Sequence, residues 1–319
     1  MVDHPRFRRF AWAFLAYLLL VILFGAWVRI THSGAGCGSH WPTCHGQIVP
    51  IAPSVETIIE FSHRLTSGLL GIVGLGLVAA AAVRFGRDRV TVAAVVTLVF
   101  IVFEAAIGAG LVLKELVADD DSVPRAIVIS VHLVNTLLLT GAAALTAWWS
   151  QPRRPWSWAA LGAGRWLFGA ALLALVATCM TGAVTALGDT LFPVGASQGA
   201  GMLERLADDM SPARHFLVRL RIVHPMVAVV AAGIVYGAGS WAAGHSNDPT
   251  TRRLAAGLRH GTIAQVVVGL LNIALAAPGW MQLVHLLMAQ IVWVLAVLTT
   301  ASMGASKEAS GASTIFSRA

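Results

Sequence analysis

Charged residues are scarce in this chain. They make up 12% of its 319 residues, against about 25% in soluble globular domains. No A-x-A cleavage site follows the first apolar run, and no Arg- and Ser-rich leader precedes it. The scarcity of charge excludes a soluble globular fold, and the other two absences argue against a cleaved signal peptide and a mitochondrial transit peptide. We therefore expect an integral protein of a bacterial inner membrane.

Long runs without Asp, Glu, Lys or Arg dominate the sequence. A helix needs about 20 residues to cross roughly 30 Å of hydrocarbon. Five runs are long enough: Phe10–Val28, Leu65–Val83, Ala126–Gln151, Trp166–Gly188 and Ile222–Asn247. The run over 260–306 is too long for one helix, and Ala-Ala-Pro-Gly at 276–279 predicts a turn between two helices. With Val90–Leu113, which only Glu104 interrupts, we expect eight transmembrane helices.

The net charge of +7 follows the predicted membrane topology. Basic residues lie before helix 1 and between helices 2 and 3, 4 and 5, and 6 and 7, whereas the alternate loops are neutral or acidic. These basic residues are Arg6, Arg8, Arg9, Arg84, Arg87, Arg89, Arg153, Arg154, Arg252, Arg253 and Arg259. By the positive-inside rule, both termini are cytoplasmic. The expected partner of this charge is the lipid bilayer, not nucleic acid.

The two halves of the chain carry the same pattern. His63 in helix 2 corresponds to His224 in helix 6, and Glu104 in helix 3 corresponds to Gln265 in helix 7 with the same offset. Four helices in each half make the repeat parallel in the membrane. We predict an all-α fold of two pseudo-symmetric four-helix bundles, at residues 1–155 and 156–306, with a cytoplasmic tail at 307–319.

Four histidines lie inside the even-numbered helices near their predicted outer ends: His63, His132, His224 and His285. One intramembrane histidine is often a hydrogen-bonded core residue, but two equivalent pairs at one depth are harder to explain in that way. Histidines on two facing helices are the geometry for axial ligation of haem iron. Zinc would need three or four converging ligands, and a proton relay would use a chain of carboxylates. The pattern predicts two haem sites.

Cations near the outer ends of helices 1, 2 and 6 fit the same prediction. Charge is costly there without a partner, and haem propionates would supply one through bidentate pairs. The candidate residues are Arg29, Arg64, Arg219 and Arg221. For Arg29 and Arg219, the alternative is snorkelling to phosphate head groups.

Glu60 marks a difference between the halves, because Arg221 stands at the corresponding position before His224. Residues i and i+3 share a helical face, so Glu60 should point toward the same porphyrin as His63 and exchange protons or stabilise developing charge there. The alternative is an i, i+4 ion pair with Arg64. We predict that the first half is reactive and that the second is a structural or electron-transfer haem site.

The loop between helices 1 and 2 contains Cys37 and Cys44, on the predicted oxidising side, where a disulfide can persist. Gly and Pro between them permit a tight closure, so a disulfide is favoured. The alternatives are two free thiols or metal capture with the loop histidines at 32, 40 and 45. Cys179, inside helix 5, is expected to be a small apolar core residue.

Together these features resemble the haem A synthase family of cytochrome oxidase assembly over essentially the whole chain. The resemblance rests on eight helices in two halves, the Glu-x-x-His-Arg stretch at 60–64, the three further histidines and the outer Cys-x6-Cys loop with Trp41 and Pro42. Two features depart from the family pattern. No second cysteine pair lies between helices 5 and 6, and Glu104 stands where Gln is expected.

The resemblance implies a reaction and a set of roles. The C8 methyl of haem O would be hydroxylated twice, and the gem-diol would lose water to leave the formyl of haem A. His63 and His132 would bind the substrate haem, His224 and His285 would hold haem b, and Glu60 would be the acidic catalytic residue. Haem O synthase and cytochrome oxidase assembly factors are the implied partners, and a homo-oligomer is compatible with the family.

Two other functions compete with this one. A non-catalytic dihaem cytochrome would use the same four histidines to pass electrons from quinol to an outer acceptor, and only Glu60 argues against it. A transporter with a parallel repeat would need polar residues along a path across the membrane. Here they cluster at the outer level, and Pro225 lies at that level as well.

Overall fold

The computed structural model describes residues 4–153, 155–193 and 208–305. Eight helices in these ranges are long and apolar enough to span a membrane: α1 (Pro5–Ile30), α2 (Val55–Phe85), α3 (Arg89–Leu113), α4 (Val123–Trp149), α5 (Gly164–Leu191), α6 (Phe216–His245), α7 (Pro249–Ala274) and α8 (Gly279–Met303). No β-strand occurs in the same ranges. The predicted all-α, eight-span membrane protein is confirmed. Arg154, Ser306 and the predicted tail at 307–319 lie outside the described residues.

Local sequence signals explain where several helices begin and end. Side chains of Ser54, Asp88, Ser122 and Asp248 accept hydrogen bonds from backbone N–H groups of the first turns of α2, α3, α4 and α7, which satisfies donors that a helix leaves unpaired. The predicted turn at 276–279 separates α7 from α8. Ala276 and Ala277 adopt positive φ angles there, of 59° and 51°.

Helix α6 differs from the predicted run. It begins at Phe216, six residues before the charge-free run starts, and a 3₁₀ turn at Leu220–Ile222 interrupts it just before His224. Arg219 and Arg221 therefore belong to the helix. Both arginines lie where α6 changes between α-helical and 3₁₀ geometry.

The helices pack as two groups. Helices α1–α4 contact one another in a ring, with α1 beside both α2 and α4, and α5–α8 do the same, with α5 beside both α6 and α8. The groups meet through α1 and α4 on one side and α5 and α8 on the other. The indole Nε1 of Trp293 on α8 donates to the Leu137 carbonyl on α4 at 2.7 Å. The division at 155/156 and the repeat symmetry remain predictions.

The two larger apolar clusters lie at one end of the two groups, and a smaller one, around Ala126, Leu187 and Leu217, lies at the other. The first cluster joins Phe14, Leu77 and Leu139 with the small side chains of Ala143 and Ala147, and small residues let helix backbones approach closely. A second cluster brings Phe168, Val235, Leu258 and other residues together at the same end of α5–α8. The four histidines lie toward the other end, where the helices enclose a cavity.

Candidate functional site

A cavity of about 1810 Å³ occupies the end of the bundle opposite the two larger apolar clusters. Typical small-molecule pockets measure roughly 300–1,000 Å³, so this one has room for more than one large ligand. Helices of both groups line it. The residues predicted from the sequence that it brings together are Arg29, Glu60, His63, Arg64, His132, Arg221, His224 and His285.

The second-half histidines face each other at a distance suited to a metal. The ring centres of His224 and His285 are 6.2 Å apart, and the ring planes are nearly perpendicular, at 85°. A metal–imidazole bond is about 2.0–2.1 Å long, so two such bonds in line plus the two ring radii give roughly 6 Å between centres. The residues present therefore fit a haem iron held between these two rings.

Three glycines back the histidine rings. A Cβ on Gly182 would stand 3.0 Å from Cε1 of His224, and one on Gly269 would stand 3.1 Å from Cε1 of His285. In the first half, a Cβ on Gly25 would stand 3.2 Å from the ring of His63. Because real Cβ atoms rarely come so close, a side chain at any of these positions would displace the neighbouring imidazole.

The first-half histidines line the same cavity from α2 and α4. Phe24 packs edge-on against His63, with 5.4 Å between ring centres. The Nδ1 atoms of His63, His132 and His285 are buried and have no hydrogen-bond partner among the described residues. Buried polar atoms are nearly always paired, so these imidazoles lack the protein hydrogen bonds that purely structural histidines make; the nearest acidic oxygen to Nδ1 of His132 is Oε1 of Glu104, at 3.5 Å.

Glu60 is 4% exposed and lines the cavity, yet both of its carboxylate oxygens have protein partners. Oε2 accepts a hydrogen bond from the backbone N–H of Cys37 at 2.7 Å. Oε1 accepts from Nε of Arg64 at 3.1 Å and also contacts its Nη2. The alternative i, i+4 pair is therefore present, and together with the Cys37 N–H it fixes the carboxylate about one helical turn before His63.

The outer loop is fastened to this carboxylate. Cys37 and Cys44 form a disulfide, and both cysteines are fully buried. Nη1 of Arg64 donates to the carbonyl oxygens of His40 and Thr43, each at 2.7 Å. Among the described residues, no group of three or more His, Cys, Asp or Glu could hold a metal ion, so the loop histidines do not assemble the alternative metal site.

The four candidate propionate partners differ in their surroundings. Arg29 reaches from α1 to the second group, where it donates to the Ala186 carbonyl, to Oγ1 of Thr190 and, at 2.9 Å, to Oε1 of Gln282. Arg219 is exposed and does not line the cavity.

Arg221 is paired with acidic residues that the sequence analysis did not select. Its Nε lies 2.9 Å from Oδ1 of Asp189, and its Nη1 lies 3.7 Å from Oδ1 of Asp209. Burial raises the pKa of Asp209, and the nearby Arg221 counteracts that rise. Asp189 directly follows the charge-free run that predicted helix 5, which was the available signal for it.

Arg125 was also missed. It is 4% exposed, lines the cavity and donates to the Ala118 carbonyl at 2.7 Å. The signal was a cation at the predicted outer start of helix 4, against the positive-inside pattern. It has the reach and charge to bind an anionic group of a ligand in the first half.

Known proteins resemble this chain over most of its length. A family model described as cytochrome oxidase assembly protein matches residues 8–297. A protohaem IX farnesyltransferase of Thermus thermophilus is 48% identical over 299 residues, which cover 93% of this chain and 48% of the relative. The chain thus spans about half the length of that relative.

Shorter matches link the chain to proteins named haem A synthase. That of Halalkalibacterium halodurans is 44% identical over 96 residues, 30% of this chain and 32% of the relative. That of Bacillus cereus is 47% identical over 96 residues, 30% of this chain and 31% of the relative. The family model covers nearly the whole chain, and the eight helices are those of a multi-pass membrane protein. The chain belongs to the haem A synthase family of cytochrome oxidase assembly proteins.

Proposed function

We propose that this chain is a haem A synthase, an oxidoreductase that converts the C8 methyl of haem O to the formyl of haem A by successive hydroxylations. The observation that carries the proposal is one large cavity lined by two histidine pairs, with Glu60 and Glu104 beside the first pair. The family supports haem A biosynthesis as the setting. We propose in addition which residues form the site and which reaction they carry out.

The two pairs have different proposed roles. His63 and His132 bind the iron of the substrate haem O, and His224 and His285 hold haem b. When bound, haem b supplies one-electron transfer. Arg29 lies between the two groups, within reach of the second site, while Arg125 lies at the outer edge of the first. Both are suited to orient propionates through charge-assisted hydrogen bonds.

Glu60 is the proposed catalytic residue of the first half. The Cys37 N–H and Arg64 fix its carboxylate in one position, so that it is aligned before the substrate arrives. From there it accepts a proton or stabilises positive charge that develops on the substrate during oxidation. Because Cys37 is itself in the disulfide, the loop and the carboxylate form one structural unit.

The proposed route of haem entry is lateral, through the first group. Leu65, Ile72 and Val102 line the cavity, and each of these apolar side chains on α2 and α3 is more than half exposed. Helix surfaces that lack protein neighbours within a membrane face hydrocarbon. An apolar haem would therefore enter laterally between these helices.

Partners and location follow from the same reaction. The Thermus thermophilus relatives are named protohaem IX farnesyltransferase, and this chain matches about half of each. We propose haem O synthase as the donor of the substrate and cytochrome oxidase assembly factors as acceptors of the product. The proposed location is a bacterial inner membrane with both termini in the cytoplasm.

A dihaem electron-transfer cytochrome is the second candidate. It is favoured by the ion pair between Glu60 and Arg64, which occupies part of the carboxylate. Both candidates use the same histidines, so only the fate of haem O separates them.

The test is chromatography and mass spectrometry of haems extracted from the purified chain after co-expression with a haem O synthase. We expect haem B together with haem A or its hydroxylated precursor, and loss of the oxidised haems in Glu60→Gln. Glu56→Gln is the matched control, because Glu56 is an exposed carboxylate one turn earlier on α2. Haem B alone, beside unchanged haem O, would refute the synthase and leave the cytochrome.

A further inference from the structure

Glu104 is a carboxylate inside α3 whose contacts all lead toward α4. Its Oε1 accepts a hydrogen bond from Oγ1 of Thr136 at 2.5 Å, and its Oε2 accepts one from Nδ2 of Asn135. The same Oε1 lies 3.5 Å from Nδ1 of His132. Three polar groups of one helix thus surround a single acidic side chain of its neighbour.

His132 has a buried nitrogen that lacks a hydrogen-bond partner among the described residues. Its Nδ1 is shielded from solvent, and the Oε1 of Glu104 is the acidic oxygen beside it. When one imidazole nitrogen binds a metal, the other carries hydrogen and nearly always donates it to a carboxylate, a carbonyl or water. A shift of about half an ångström would turn this contact into a hydrogen bond of ordinary length.

The second half has a neutral residue, Gln265, at the corresponding sequence position, but its amide lies beside the other imidazole nitrogen, Nε2, and Nδ1 of His285 has no partner among the described residues. Nε2 of Gln265 lies 3.4 Å from Nε2 of His285 and 3.3 Å from the His285 carbonyl oxygen. Asn135 and Thr136 follow His132 by three and four residues, and at the same spacing after His285 stand Met288 and Ala289. The donors that hold a carboxylate in the first half are therefore absent from the equivalent positions of the second.

We propose that Glu104 is a positioning residue for His132. It accepts the Nδ1 hydrogen, fixes the orientation of the imidazole and makes it a more strongly electron-donating ligand than His285, whose Nδ1 has no carboxylate partner among the described residues. The proposal rests on the proposed binding of haem by the first half. It follows that haem in the first site has a lower midpoint potential than the same haem would have with Gln at position 104.

The experiment exchanges the two side chains in the full-length membrane protein, purified with its haems after co-expression with a haem O synthase. Optical redox titration gives the midpoint potentials of Glu104→Gln, Gln265→Glu and the unmodified chain. His63→Ala identifies the first-site component by removing it. We expect Glu104→Gln to raise the first-site potential alone and Gln265→Glu to lower the second-site potential alone, while Glu56→Gln changes neither.

A second measurement distinguishes a change in the donor strength of His132 from a general loss of structure. Electron paramagnetic resonance of the oxidised haems reports the donor strength of axial imidazoles, so the first-site signal should move toward that of the second site in Glu104→Gln. If Glu104→Gln loses its first-site haem, Glu104→Asp decides, because the shorter side chain moves the carboxylate away from Nδ1 of His132. An unchanged first-site potential in Glu104→Asp overturns the proposal.

The outcomes separate this inference from the proposed function. If two haems bind and neither exchange changes a midpoint potential, the role of Glu104 is overturned and the proposed haem sites remain. A chain in which no haem depends on His63 or His132 would overturn the proposed substrate site, and the role of Glu104 with it.

Discussion

In the second half of the molecule, the ring centres of His224 and His285 are 6.2 Å apart, and a glycine lies close to each ring. In the first half, the histidines lie beside two carboxylates, and an outer loop is fastened above one of them. Both histidine pairs line one cavity, but their neighbours differ in charge. If both pairs bind haem as proposed, the helices determine where the two haems lie and the residues packed around them determine what each site does.

The charged residues near α6 also differ from those at the corresponding place in the first half. Arg221 occupies the position that corresponds to Glu60, and it is paired with Asp189 and Asp209. This cluster, in which the Arg221 charge is neutralised by two carboxylates, fits the proposed permanent haem b site of the second half. Glu60 is also paired, but its partners are the loop and Arg64, so its surroundings change if the loop moves.

The largest expected effect comes from removing ligands of one half at a time. We expect His285→Ala to lose haem b completely and to keep haem in the first half, and His63→Ala to do the opposite. Each variant should bind about half of the haem of the unmodified chain, because each pair holds one iron. Haem per chain, measured as the pyridine haemochrome, checks this, with the exposed His260→Ala as control. Loss of both haems in either variant would show that the two sites do not bind haem independently.

Much of this arrangement was predictable from the sequence, for physical reasons. An ionisable residue in an apolar span must face the protein interior, so the histidines had to line a common space. The turn at 276–279 was readable because Pro278 cannot continue α7. The start of α6 was not predictable, because Arg219 and Arg221 break the charge-free run. Among the described residues, the Arg221 charge is paired with Asp189 and Asp209, which lie outside α6.

Contacts between distant segments account for what was missed. Nothing in the local sequence of Arg125 shows that its side chain folds back on the 118–120 loop. Likewise, no pattern around Glu104 indicates that Asn135 and Thr136 surround it from α4. Such pairings depend on how α3 packs on α4, and sequence periodicity does not specify that geometry.

A smaller effect is expected from Gly182→Ala, which sharpens the comparison by disturbing only the second site. The new methyl would stand 3.0 Å from the His224 ring. Since misorienting a metal ligand typically costs roughly 10- to 100-fold in affinity, we expect haem b to be lost about tenfold more readily in competition with apomyoglobin. Gly233→Ala on α6 is the matched control, since a Cβ there meets nothing within 4 Å. Equal haem retention in the two variants would contradict a role for this close approach.

The smallest effect should come from the outer loop and be confined to the first half. Replacing Cys37 and Cys44 together by Ser loosens the loop whose backbone N–H at position 37 holds Glu60. We expect about threefold less oxidised haem, which corresponds to about 0.7 kcal/mol of transition-state stabilisation. Losing a disulfide also lowers stability, so product must be expressed per chain that retains haem b between His224 and His285. A thiol reductant should reproduce the loss in the unmodified chain and add nothing in the double variant. Loss of haem b to the same extent would show that the loop stabilises both halves, and full activity would show that Glu60 keeps its position without it.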